Sequence, residues 1–199
     1  MLPITLSGVS MTINGVACGL KSVSRHEIVF VVPVFLASAV AGTPYPVVIN
    51  NNGTVFKGSV TIVPARPDIF TDLPVAGPFG RARAFNVTNR VHTTEPFTVT
   101  TIQVRGGRRV PTVLRLYVTG IANTSNTVFA IKIDGVPPII GTAILTGGVL
   151  VEPGVYTVDF QLPPALNMAG DVPITVIVNV GGTEFKSRLD DTAPRLFIL

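Results

Sequence analysis

The 199-residue chain reads as an all-β protein built of two tandem sandwich modules, and three observations carry that expectation. The first is a duplication. Thr12-Ile13-Asn14-Gly15-Val16 recurs as Lys132-Ile133-Asp134-Gly135-Val136, and the run from Ile49 to Lys57 (Ile-Asn-Asn-Asn-Gly-Thr-Val-Phe-Lys) recurs from Val178 to Lys186 (Val-Asn-Val-Gly-Gly-Thr-Glu-Phe-Lys). The second is punctuation: Val- and Thr-rich apolar runs of four to eight residues alternate with turn residues, as half-buried strands do. The third is the spread of 17 prolines and 19 glycines, which leaves little room for a regular helix.

Each element follows from local chemistry. Strands are predicted near Ser10–Ile13, Glu27–Val32, Tyr45–Asn50 and Val55–Val63 in the first repeat. In the second they are predicted near Val113–Val118, Phe129–Ile133, Val155–Gln161, Ile174–Asn179 and Glu184–Leu189. Asn52-Gly53 and Gly181-Gly182 are two-residue hairpin turns, because both central positions of a type I′ turn need positive φ. Phe35–Ala41 and Ala165–Ala169 each follow a proline and read as crossover loops with a helical turn. Short antiparallel strands at this spacing point to sandwiches of the immunoglobulin kind. The expected division is residues 1–70 as the first module, ending in the stiff, Pro-biased link Pro64–Phe70, then 71–83 as a Pro/Gly-rich linker, and 84–199 as the second module. The first repeat has only Leu2–Val9 where the second has the strand Leu114–Val118, which reads either as a sequence that starts mid-domain or as a module that lacks its opening strand and leaves an unpaired sheet edge.

Composition bounds the function. Apolar residues make up 47% and charged residues 13%, about half the usual charged share. So small a protein has too little interior for that many Val, Ile and Leu side chains, and some apolar surface is expected to face a neighbour. No apolar run approaches the roughly 18 residues of a spanning helix, so no membrane span is expected. Met1-Leu2-Pro3-Ile4 lacks the basic start and unbroken apolar core of an export signal. With one cysteine, Cys18, no internal disulfide is possible, and its setting between Ala17 and Gly19 reads as a small buried side chain.

Catalytic chemistry finds little to work with. His26 and His92 lie in different repeats and in polar loop contexts, and no Gly-x-Ser-x-Gly or His-Glu-x-x-His pattern occurs. Zinc lacks a ligand set. The close acidic pairs, Asp68 with Asp72 and Asp190-Asp191, lack the spacing of a calcium loop and read as solvated turns. A non-enzymatic chain with no metal or cofactor is the expectation. Arg105, Arg108, Arg109 and Arg115 form the densest basic cluster, a candidate anion or polysaccharide site. Its Gly106-Gly107 reads as a hairpin turn rather than part of a nucleic-acid-binding repeat, which would need stacking aromatics. Sugar binding is weakened by the lack of tryptophan.

Leu2-Pro3 through Gly8-Val9-Ser10-Met11-Thr12-Ile13-Asn14-Gly15-Val16 resembles the conserved stretch of a C-terminal module on large exported proteins of Acidobacteria such as Solibacter. Val31-Val32-Pro33, Pro67-Asp68-Ile69-Phe70-Thr71 and Leu116-Tyr117-Val118-Thr119-Gly120-Ile121 extend the resemblance over nearly the whole chain. It implies immunoglobulin-like, transcription-factor-type sandwiches in an extracellular or cell-surface setting, and no activity. The expected role is structural: subunits packing on one another, or on domains of a parent protein, through apolar faces and strand edges, as far as a polymer or filament. The candidate contacts are Leu2, Ile4 and Leu6 at the start, Pro67, Ile69 and Phe70 in the linker, and Leu196, Phe197, Ile198 and Leu199 in the apolar tail. The alternative is a surface module that binds an anionic glycan or other polysaccharide.

Overall fold

A computed structural model describes residues 1–33, 36, 42–72, 80–103, 106–121, 127–134, 136–140, 143–188 and 192–199. The chain is all-β and divides into two compact units, Met1–Pro64 and Ala65–Leu199.

The first unit holds β1 (Thr5–Leu6), β2 (Val9–Ile13), β3 (Val16–Ala17), β4 (Gly19–Val23), β5 (Ile28–Val31), β6 (Pro44–Asn51) and β7 (Thr54–Thr61). One sheet runs β1-β2-β6-β7 with β3 on β2, and β4-β5 forms a separate hairpin. Period-two alternation decides which side chains go inward. Val9, Met11 and Ile13 of β2 are buried while Ser10 and Thr12 lie on the other face. Met11 and Ile13 pack with Cys18, Leu20 and Leu36 into a small core, flanked by half-buried Tyr45, Val47, Ile49 and Val60.

The second unit holds β8 (Asp68–Ile69), β9 (Thr71–Asp72), β10 (Arg81–Ala82), β11 (Ala84–Asn86), β12 (Thr100–Ile102), β13 (Arg109–Pro111), β14 (Val113–Thr119), β15 (Thr127–Ile133), β16 (Ile144–Glu152), β17 (Val155–Gln161), β18 (Gly170–Val180), β19 (Thr183–Lys186) and β20 (Arg195–Ile198). Its two main sheets run β15-β18-β20-β10-β9, with β19 on β18, and β11-β14-β17-β16, with β8 on β14. They share one core in a sandwich-like arrangement. Leu114, Leu116, Val158 and Phe160 of one sheet join Ile131, Ile133, Ile174, Val176, Leu196 and Ile198 of the other. Burying a side chain of that size is worth about 1.5–3 kcal/mol, so this core dominates the unit's stability.

The duplication in the sequence is also a duplication in space. β2, β6 and β7 pair in the same antiparallel order as β15, β18 and β19. Both hairpin turns use positive φ at their two central residues, Asn52 with Gly53 and Gly181 with Gly182. Each is tied by the same side chain: Asn50 Oδ1 accepts from the Gly53 N–H at 2.8 Å, and Asn179 Oδ1 from the Gly182 N–H at 2.9 Å. One bond of the crossover segments matches as well, although residues 35 and 37–41 of Phe35–Ala41 lie outside the described residues. The Leu36 N–H donates to the Pro33 carbonyl at 3.0 Å and the Leu166 N–H to the Pro163 carbonyl at 3.1 Å, and both leucines are buried. Register differs by two residues, since Ile13 faces Val47 while Ile133 faces Ile174 rather than Val176. An even slip keeps every side chain on its own face, so both cores survive it.

Two sequence expectations are revised. The boundary falls after Pro64, not after residue 70. Ala65, Pro67 and Ile69 are buried in the second unit, where β8 pairs with β14 and the Arg66 N–H donates to the Gly120 carbonyl at 2.7 Å. The supposed linker 71–83 carries strands: β9 and β10 pair with each other, with Gly80 tight against Thr71. Residues 73–79 lie outside the described residues. The stretch around Gly147-Gly148, where no strand is predicted, is the nine-residue strand β16, which absorbs its glycines at a register shift between Thr146 and Val149.

Candidate functional site

The apolar tail is integral to the second unit. β20 pairs antiparallel with β18 and parallel with β10, and the Phe97 N–H donates to the Phe197 carbonyl at 2.9 Å. Alternation along β20 puts Leu196 and Ile198 in the core and leaves Phe197 and Leu199 exposed. A charge network fastens the strand. Arg81 donates to both carboxylate oxygens of Glu95 at 2.6 Å and also to Asp171, which accepts in addition from Arg195. Glu95 further accepts from the Phe197 N–H at 2.8 Å. Burial pushes the Asp171 carboxyl up, but the hydrogen bonds from Arg81 and Arg195 outweigh it and hold its pKa below the usual range. The Glu95 bonds likewise raise the Arg81 pKa above the ordinary value.

The predicted assembly contacts therefore divide. Pro67, Ile69, Leu196 and Ile198 are buried within their own unit and are not free to meet a neighbour, because strand pairing turns them inward. Leu2, Leu6 and Phe70 are half-buried, with Leu6 packed on the first core, while Ile4, Phe197 and Leu199 remain exposed. Most of the exposed apolar surface lies elsewhere. Six of these exposed side chains sit on two edge strands: β7, with Val55 and Phe56 at 51% and 54% exposure, and β16, with Leu145, Val149, Leu150 and Val151 at 46–56%. The signal for β16 was the run Val149-Leu150-Val151, hidden behind the two glycines.

The two edges differ in guarding. β16 pairs with β17 through three register shifts, and such irregularities deter edge-to-edge pairing. β7 pairs with β6 over eight consecutive residues without one, and its only charge is Lys57. Beneath β7, the sheet and the β4-β5 hairpin part into a cleft of about 470 Å³ lined by Met11, Val23, Ile28, Phe30, Ile49 and Phe56, with His26 and Glu27 at the rim. His26 is an exposed turn residue, as its polar context predicts.

The basic cluster is not a single patch. Arg115 lies opposite Asp159 across β14 and β17 and donates to both its carboxylate oxygens at 2.8 Å, so its charge is matched. That bond raises the Arg115 pKa above the ordinary value. Arg108 and Arg109 are exposed on the β12-β13 hairpin, whose turn residues Gly106 and Gly107 both have positive φ. Arg105 lies outside the described residues. Beside Arg115 is a cleft of about 390 Å³ lined by Val87, Gln103, Val110, Val113, Leu145 and Asp159 among others. On the same sheet Arg83 sits 4.8 Å from the Tyr117 ring centre, and Phe85 stacks on His92 at 4.4 Å and meets Tyr117 edge-on at 5.8 Å. Under this sheet a buried polar chain links Asn86, Thr88, Thr101 and Thr112 through bonds of 2.6–3.0 Å, all satisfied.

Among the described residues, no three His, Cys, Asp or Glu side chains are grouped as a metal site would need, and no helix is long and apolar enough to cross a membrane. Asp68 is paired with Arg188, and Asp72 lies near Arg83. Asp190 and Asp191 lie outside the described residues. Cys18 is fully buried, and burial pushes its thiol pKa up, away from nucleophilic use. Compared with models of protein families, with curated proteins and with solved structures, the chain matches none.

Proposed function

We propose that the chain is a non-enzymatic structural protein of the bacterial exterior, built of two tandem immunoglobulin-like modules whose subunits assemble through strand edges and apolar faces. The observation that carries this reading is the unguarded apolar edge β7, eight residues long, next to an incompletely covered core. Exposed regular edges are templates for strand addition. Burying Val55, Phe56 and the cleft behind them removes apolar surface from water at about 25 cal/mol per Å². The resemblance to exported modules of Acidobacteria is in keeping with an extracellular or cell-surface setting. Sedimentation velocity across a wide concentration range, with electron microscopy of the concentrated protein, tests the reading. Association that grows with concentration supports it, and a monomer at the highest concentration overturns it.

A second reading is favoured by one specific arrangement. Tyr117, Phe85 and His92 with Arg83, beside the cleft at Arg115 and Asp159, resemble a platform for a sugar ring with charged groups at its margin. On this reading the protein is a surface module for an anionic polysaccharide. Retention on a heparin column that falls in Arg108→Ala/Arg109→Ala and in Tyr117→Ala variants would support it. Unchanged retention, or none in the parent, would remove it.

A further inference from the structure

We propose that β7 pairs antiparallel with β7 of a second copy about a two-fold axis through Gly58, joining two first units into one continuous sheet. This rests on the assembly reading and names its partner and register. The hydrogen-bond phase of β7 decides which registers are possible. In a two-residue hairpin the pair next to the turn, Asn51 and Thr54, exchanges both backbone bonds, and bonded pairs then alternate. Phe56, Gly58 and Val60 therefore bond inward to β6. The N–H and C=O groups of Val55, Lys57, Ser59 and Thr61 point away from it. Pro46, opposite Ser59, agrees with this phase: it has no N–H to give, and its carbonyl accepts from Asn14 on the β2 side.

Only registers that oppose these outward residues to one another can form a ladder. Placing Lys57 on the axis sets two like charges face to face, which is unfavourable. Placing Phe56 on the axis sets Val55 against Lys57 and leaves only a short overlap. Placing Gly58 on the axis opposes Phe56 to Val60, Val55 to Thr61, and Lys57 to Ser59 of the second copy. Phe56 and Val60 share the inner face with Ile49 and Tyr45, opposite which they lie on β6. That cross-strand aromatic–aliphatic pair would carry the apolar face from one copy to the other and cover the exposed Phe56 ring. At the axis two glycines meet with no side chains to collide, and a Cβ built on Gly58 meets nothing within 4 Å.

The test is a Gly58→Cys variant of the full chain under mild oxidation, with the parent chain as control because its Cys18 is buried. A non-bonded antiparallel pair brings Cα atoms to about 4.5 Å, within disulfide range. Lys57→Cys or Ser59→Cys would face its own copy at about 8 Å, beyond bridging distance. A disulfide-linked dimer forming at least about tenfold faster in Gly58→Cys than in either neighbour is expected on that geometry. Lys57→Pro, which removes an outward N–H and no β6 bond, is expected to shift the sedimenting species to monomer. Faster linking at residue 57 or 59 overturns the register. Concentration-dependent association with no linking at residue 58 and no effect of Lys57→Pro overturns the β7 pairing while leaving assembly by another surface standing. A parent chain that stays monomeric overturns both.

Discussion

β7 and β19 start from the same run of residues and meet different fates. In the second unit β19 pairs with β18 for four residues, β15 takes the other side of that stretch, and the Gly170–Pro173 end of β18 is paired with β20, itself paired with β10. In the first unit β7 runs along the whole of β6, and among the described residues nothing pairs with its other side. The hairpins β4-β5 and β16-β17 diverge likewise, for β17 is flanked by β14 while β4-β5 forms a two-stranded sheet. The repeated residues set local turns and faces. Neighbours supplied from distant sequence decide whether an edge is interior or exposed.

The largest way to test that contrast is to remove a core side chain from each unit. Leu116→Ala and Ile13→Ala should each cost about 2–5 kcal/mol. The second unit, with its two-sheet core, should stay folded, while the small first unit should unfold. Denaturant curves followed by hydrogen exchange should show loss of protection confined to Met1–Pro64 in Ile13→Ala. Equal protection in both variants would erase the distinction.

Next comes the fastening of β20. Arg81→Ala should lower stability by about 1–2 kcal/mol, since its bonds are charge-assisted but partly solvated. The network also predicts a pH dependence. Asp171 has a folded pKa below its unfolded value, so its contribution is present above the ordinary carboxylate range near pH 4 and is lost as pH falls through the depressed folded value. Urea midpoints measured from pH 6 down to pH 2 should show this loss, and Asp171→Asn should flatten it.

Smaller effects are expected at the shared turns. Asn50→Ala and Asn179→Ala each delete one side-chain bond to a turn N–H and should cost about 0.5–1 kcal/mol in their own units, read from thermal melts. Unequal costs would show that the two turns are not energetically equivalent. The smallest effect belongs to the bulged edge: Val149→Lys on β16 should change stability by less than about 0.5 kcal/mol and leave sedimentation unaltered. Phe56→Lys on β7 should abolish association.

Much of the local structure was legible in the residues. Asn52-Gly53 and Gly181-Gly182 announce their hairpins because few other pairs accept positive φ twice, and the alternation in β2 and β14 marks their inner faces. What escaped was non-local. Pro67 and Ile69 read as a stiff tether because nothing nearby shows that β14 will pair with them. Leu196 and Ile198 read as a sticky end because their partners, β10 and β18, are set by long-range pairing. Arg115 looked like a free cation until the strand register put Asp159 opposite it. The surplus of apolar residues was readable from composition, but its address on β7 and β16 was not.

The seating of β20 also imposes an order of events during synthesis. Its contacts with Arg81, Glu95 and Phe97 join residues about a hundred positions apart, so the second unit must hold its sheet open until Arg195–Ile198 leaves the ribosome. The first unit, whose strand pairings among the described residues all fall within Met1–Pro64, is free to complete itself well before then.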